Sequence, residues 1–144
     1  MKPKNCVLAL YVSLEGKSNR TSKDVLVIDE KGVLEDKFYA KNTQRAILIT
    51  SIDSYNLTKQ NGIDTPIGSL GENILLNVNP YHLNIGDRLQ IGETTLEITQ
   101  NCTICNSLAK IDAKLPKLLK NDRGIFAKVV QSGVICVDDK VRFL

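Results

Sequence analysis

The stretch from residue 83 to 99 constrains the fold more than any other part of this chain. It reads Leu83-Asn-Ile85, Gly86-Asp87, Arg88-Leu-Gln-Ile91, Gly92-Glu93 and Thr94-Thr-Leu-Glu-Ile-Thr99. Leu89 and Ile91 alternate with polar residues, as do Leu96 and Ile98, which is the rhythm of a strand with one buried face. The Gly-Asp and Gly-Glu pairs supply turn chemistry between the runs. Closely spaced turns of this kind suit a small barrel built as a meander and disfavour an α/β sheet, whose parallel strands need long crossovers.

Other segments are extended too. Residues 6–14 form an apolar run after Lys2 and Lys4. Glu15-Gly16 follows with no small-x-small cleavage pattern, so a strand is expected there and not a secretory leader. Residues 25–28, the turn Asp29-Glu-Lys-Gly32 and residues 33–39 predict a hairpin, and 46–49 and 73–78 predict further strands. Ser51 or Asp53 is placed to cap a helix over 54–60 that ends near Gly62. Leu108, Ile111, Leu115 and Leu118 fall at helical spacing, and Pro116 divides them into two helices, with the proline near the start of the second. Residues 125–130, the Ser132-Gly133 turn and residues 134–137 read as a closing hairpin, with 140–143 a last edge. The expected fold is therefore mainly β, a barrel with short helices at about 52–61 and 104–121, in one domain over 1–144.

Composition narrows the class. At 144 residues, 42% hydrophobic and 24% charged, the chain is large enough to build a core and is not of disordered type. No run approaches the ~18 apolar residues of a membrane helix, so no membrane partner is expected. A net charge of +3 does not by itself argue for nucleic acid. Cys6, Cys102, Cys105 and Cys136 are too scattered for a disulfide framework, which favours reduced thiols and a cytoplasmic setting.

Three features carry possible chemistry. Cys102-Thr-Ile-Cys105 supplies half of a zinc site, but its other half is missing; a redox C-x-x-C motif would need a βαβ context. What remains is a thiol between strand 94–100 and a following helix, where first-turn N–H groups favour a thiolate. Cys105 is better placed for this than Cys102, and a small buried cysteine is the alternative. Residues 109–128 hold Lys110, Lys114, Lys117, Lys120, Arg123 and Lys128 against Asp112 and Asp122, a larger positive surplus than the whole chain carries. Lys110, Lys114 and Lys117 share one face of a helix. That face is either solvated or an anion site; nucleic acid is disfavoured because no aromatic platform interleaves the charges. Gly68-Ser-Leu-Gly71-Glu72-Asn73 lacks the lysine and following helix of a phosphate loop, and offers either a plain turn or a carboxylate and amide that orient a ligand. Asp138-Asp139 and Asp53 show no metal-loop spacing, and His82 stands alone.

Taken in order, these pieces resemble the MOSC domain, the molybdenum cofactor sulfurase C-terminal domain, in its small stand-alone bacterial form. Gly68-Ser-Leu-Gly-Glu-Asn73 resembles the family's G-x-x-G-E-N block. Ile85-Gly-Asp-Arg-Leu-Gln-Ile-Gly92 with Leu96-Glu-Ile-Thr-Gln100 resembles its I-G-D-x-L-x-I-G…L-E-V-T-Q meander. Cys105 falls at the family's cysteine, and Arg123-Gly-Ile-Phe-Ala-Lys-Val129 resembles the closing R-G-x-x-A-x-V block. There are departures. The early G-x-x-G-D-x-H block appears as Gly32-Val-Leu-Glu-Asp-Lys-Phe38, and Q-P-R-x-P-C as Gln100-Asn-Cys-Thr-Ile-Cys105, without the arginine. The resemblance implies a MOSC-type β-barrel, a molybdenum cofactor of molybdopterin type, and either sulfur carriage or reduction of N-hydroxylated compounds. Cys105 would carry the metal or the sulfur. Arg45, Glu72, Asn73, Arg88, Arg123 and Lys110 would help to hold the cofactor. The implied partners are a cysteine desulfurase or an electron-donating reductase. A non-catalytic module for a cofactor-assembly partner is the alternative, along with a C-x-x-C redox or zinc protein.

Overall fold

The computed structural model describes residues 4–17, 20–102 and 106–144. Its strands are β1 (Val7–Val12), β2 (Thr21–Lys23), β3 (Val25–Asp29), β4 (Gly32–Val33), β5 (Ile47–Ser51), β6 (Ile74–Leu76), β7 (Arg88–Ile91), β8 (Thr94–Asn101), β9 (Ile125–Gln131), β10 (Gly133–Cys136) and β11 (Val141–Phe143). Among the described residues three α-helices accompany them, α1 (Ile52–Gln60), α2 (Asn106–Ile111) and α3 (Leu115–Leu118), with a short 3-10 helix at Thr43–Arg45. The chain is mainly β, as the alternation predicts.

The strands form two sheets. The larger runs β11-β7-β8-β9-β5-β6-β1-β2, and the smaller runs β10-β3-β4. Neither closes into a barrel, which corrects the barrel expectation. β1 does approach the turn before β11, but through a single Cys6–Lys140 bridge and a few main-chain hydrogen bonds such as Val7 N–H to the Asp139 carbonyl at 3.0 Å. Local alternation specifies which face a strand buries, and carries no information on whether the outermost strands finally pair.

All pairings are antiparallel except β5–β6, which is parallel with Ile49 opposite Ile74. That pair needs a crossover, and α1 provides it. Strands β5 and β6 are buried on both faces. Ile47, Ile49, Ile74 and Leu76 face the main core between the sheets, with Leu10, Leu26, Leu96 and Ile125 among their partners. Leu75, one residue out of phase, faces a second cluster with Tyr55, Ile63, Leu70, Leu108, Leu115 and Leu119, which packs the helices against the sheet. Ser51 caps α1 by accepting the Asp53 N–H, and Pro116 lies in the first turn of α3.

The meander forms as β7–β8, joined at Gly92-Glu93 with Ile91 opposite Thr94. Gly92 has φ +56, and a Cβ there would collide with the Asp139 carboxylate and crowd the Val134 carbonyl, so glycine is favoured. Residues 83–85 are not a strand; they sit in turns, with Ile85 exposed. The predicted return strand after Gly32 stops at Val33, where Glu35 takes φ +75 and the chain swings away. The predicted closing hairpin is also corrected: β10 pairs with β3, not with β9. Strand β9 pairs with β8 along its length and with β5 only over Ile125–Ala127, and the chain leaves it after Gln131 so that β10 lies in the smaller sheet. Residues 141–143 are the edge strand expected. Among the described residues, no helix is long and apolar enough to cross a membrane.

Candidate functional site

The chain's swing after Val33 delivers Asp36, Lys37 and Phe38 to a cavity of about 410 Å³, within the usual size of a small-molecule site. The floor holds Arg20, Asp36 and Arg123. The rim holds Lys37, Phe38, Lys41, Arg45 and Phe126. Ser69, Leu70, Gly71 and Asn73 form one wall, and Cys102, at the end of β8, lies in another.

Charge and burial are at odds on the floor. Arg123 is 5% exposed, yet its Nε and one terminal nitrogen have no hydrogen-bond partner among the described residues. One terminal nitrogen of Arg20 is likewise buried without one, its nearest carboxylate oxygen being Asp36 Oδ1 at 3.7 Å. Asp36 is occupied elsewhere, since Oδ1 accepts the Ser13 N–H at 2.6 Å and Oδ2 the Phe38 N–H at 3.3 Å. Burial pulls the Arg20 guanidinium below the usual arginine range, and Arg123 adds to this by repulsion, while Asp36 and Glu72 oppose it. Buried polar groups are ordinarily satisfied, because each orphan costs about 1–3 kcal/mol. Guanidinium N–H groups left unmatched in a cavity are suited to an oxygen-rich anion. At the rim, the Arg45 guanidinium lies 4.5 Å from the centre of the Phe126 ring and the Lys37 ammonium 5.2 Å from that of Phe38. The cavity therefore matches a ligand with a negatively charged end.

Behind the wall stands Glu72, fully buried. Its Oε2 accepts the hydroxyls of Thr50 and Tyr55, each at 2.5 Å, and its Oε1 has no hydrogen-bond partner among the described residues. Burial raises the Tyr55 phenol well above its ordinary value, and the charge of Glu72 and the hydrogen bond to it raise it further. Asn73 stitches strands: Oδ1 accepts the Leu48 N–H at 3.1 Å and Nδ2 donates to the Tyr11 carbonyl at 3.2 Å.

The sequence-predicted residues fall into distinct places. Arg45, Asn73 and Arg123 line the cavity, and Glu72 lies directly behind it. Arg88 is on the far meander, paired with Glu97 at 3.0 Å and absent from the cavity lining. Lys128 pairs with the same Glu97 at 3.2 Å. Lys110 and Lys117 are exposed on α2 and α3, two separate helices, so the basic residues do not form one continuous helical face. Cys105 lies outside the described residues. Among the described residues, no three His, Cys, Asp or Glu side chains converge as a metal site.

The model of the MOSC domain family matches residues 32–142. The chain belongs to the MOSC domain family. That family is associated with molybdenum-cofactor-related proteins. The MOSC fold is shared with solved structures. YiiM from Geobacillus stearothermophilus superposes with a TM-score of 0.78 at 17% identity, covering 97% of this chain and 75% of that one. The YuaD protein from Bacillus subtilis gives 0.76 at 18% identity, covering 98% and 97%. YiiM from Escherichia coli gives 0.67 at 18% identity, covering 99% and 70%. No curated protein matches the sequence.

Reading the sequence missed Arg20, Lys37, Phe38, Phe126 and Tyr55. Asp36, Lys37 and Phe38 do lie in the early block compared with the family pattern, so a signal existed there. Arg20 sits in a stretch with no motif or periodicity, and nothing local marks it.

Proposed function

We propose that this MOSC domain binds a molybdenum cofactor of molybdopterin type in the cavity, with Arg20 and Arg123 holding its anionic end. The observation that carries this reading is the buried Arg123, two of whose nitrogens have no hydrogen-bond partner among the described residues, at the floor of a cavity of ligand size. The residues present fit such a group. Arg20 and Arg123 offer donors to phosphate oxygens, while Phe38 and Phe126, each beside a cation, offer flanking surfaces to a flat ring. Arg45, Lys37 and Lys41 at the rim attract an anion before it enters.

Cys105 is assigned the role of metal ligand or sulfane-sulfur carrier, since a thiolate is a soft ligand and a sulfur nucleophile. When bound, the cofactor supplies two-electron chemistry at its metal. The cysteine route and the reductive route call for different partners, a cysteine desulfurase as sulfur donor or an electron-donating reductase. Anaerobic reconstitution tests the reading: wild type is expected to retain molybdenum, Cys105→Ala to lose most of it, and Arg123→Gln to load poorly. Equal retention in wild type and Cys105→Ala would remove the ligand role.

A second reading, a non-catalytic module for a cofactor-assembly partner, is favoured by the absence of the family's arginine between Gln100 and Cys105 and of the histidine of its early block, where Phe38 stands. Cofactor-loaded protein that never turns over N-hydroxylated compounds with a reductase present would favour that reading.

A further inference from the structure

The wall of the cavity is gripped from behind by one hydroxyl. Tyr55 projects from α1 into the second hydrophobic cluster and is 6% exposed. Its oxygen accepts the Gly68 N–H at 3.0 Å and the Leu70 N–H at 3.3 Å, and donates to Glu72 Oε2 at 2.5 Å. It therefore holds the residues on both sides of Gly71. Gly71 has φ +86, and a Cβ placed there would stand 3.9 Å from a terminal nitrogen of Arg20. The Arg20 guanidinium thus faces the Gly71 Cα across the space a side chain would fill, beside the short stretch of backbone that Tyr55 fixes. Glu72 adds a negative charge that opposes the effect of burial on Arg20.

From this chain of contacts we infer that Tyr55 is a positioning residue for the anion-binding floor. It acts through Leu70, Glu72 and the Gly71 backbone to set the direction of Arg20. Tyr55 touches no ligand in this arrangement, as it is absent from the cavity lining. Thr50, whose hydroxyl shares Glu72 Oε2, is the second brace of the same carboxylate. The inference rests on the reading of the cavity as an anion site, and it adds the residue that makes the site rigid.

The test uses inorganic phosphate titrated into the full chain, well below Tm, with a coupling cycle between Tyr55→Phe and Arg20→Gln. Tyr55→Phe is expected to raise the phosphate Kd roughly tenfold in the wild-type background and to change it little in the Arg20→Gln background, because both act through one guanidinium. Equal losses in the two backgrounds, or no loss in either, overturn the inference while leaving the anion site standing. Leu119→Ala, a cavity in the cluster that holds Tyr55, is expected to lower Tm with the Kd unchanged. If it weakens phosphate as much as Tyr55→Phe does, Tyr55 is only structural and the inference fails. Should Tyr55→Phe not fold, Thr50→Val takes its place in the same cycle, with a smaller loss that again depends on Arg20; a loss independent of Arg20 counts against the inference. Wild type that binds no phosphate overturns both this inference and the anion-site reading.

Discussion

Arg88, Glu97 and Lys128 on the meander, and Arg20, Asp36, Glu72 and Arg123 at the cavity, use the same side-chain types to opposite ends. In the first group, strand register puts Arg88 and Lys128 on either side of Glu97, so every charge meets its partner in solvent. The cations draw the Glu97 carboxyl below its ordinary value, the hydrogen bond to Arg88 contributing most. In the second group the charges are buried or, for Arg20, largely so, and among the described residues three guanidinium nitrogens and one carboxylate oxygen have no hydrogen-bond partner. Register satisfies a cluster at no cost to the core, whereas the cavity cluster persists with its N–H groups unmatched. The difference marks which group is available to a ligand.

The largest expected effect falls on binding. Arg123→Gln is expected to raise the phosphate Kd by about 10–100-fold, the equivalent of losing one charge-assisted hydrogen bond, measured by titration calorimetry. Arg88→Ala is expected to leave that Kd unchanged, and a comparable loss there would break the contrast between the clusters.

Stability should move the other way. Arg123→Met replaces an undermatched buried charge by an apolar side chain of similar length. It is expected to stabilise the ligand-free protein by roughly 1 kcal/mol, a rise of about 3 °C in Tm by calorimetry. A fall in Tm would mean that Arg123 is satisfied within the fold.

Arg88→Ala should be slightly destabilising, by about 1–2 °C, as is usual for a surface ion pair. The smallest effect is its pH dependence. A carboxyl whose folded pKa is depressed contributes stability above its unfolded value and loses that contribution as acid protonates it. The gap between wild type and Arg88→Ala is therefore expected at pH 7 and should shrink as pH falls below the ordinary value of 4.5. A gap that persists under acid conditions would point to packing by the arginine stem.

Much of the local structure was legible in the sequence. The β7–β8 turn followed from Gly92-Glu93, the cap of α1 from Ser51, and the break between α2 and α3 from Pro116. These depend on neighbours in the chain. The partner of β10 was not legible, because β3 stands far earlier in the chain and comes alongside only in the assembled fold. The site divides in the same manner. Arg45, Glu72, Asn73 and Arg123 carry local motif signals, whereas Arg20 reaches the floor only through tertiary packing. Arg88 lies in a motif block as clear as theirs, yet its register partner keeps it on the outer face.

The parallel pairing of β5 with β6 also bears on time. Leu48 meets Asn73 across 25 positions of chain, and the cavity draws its lining from segments as distant as Ser13 and Phe126. The β7–β8 hairpin closes a short loop and can form early, while distant pairings must wait for the entropy of long loops to be overcome. The cavity is accordingly among the last features this polypeptide completes as it folds, and a partly folded chain with an intact meander would lack the site proposed for an anion.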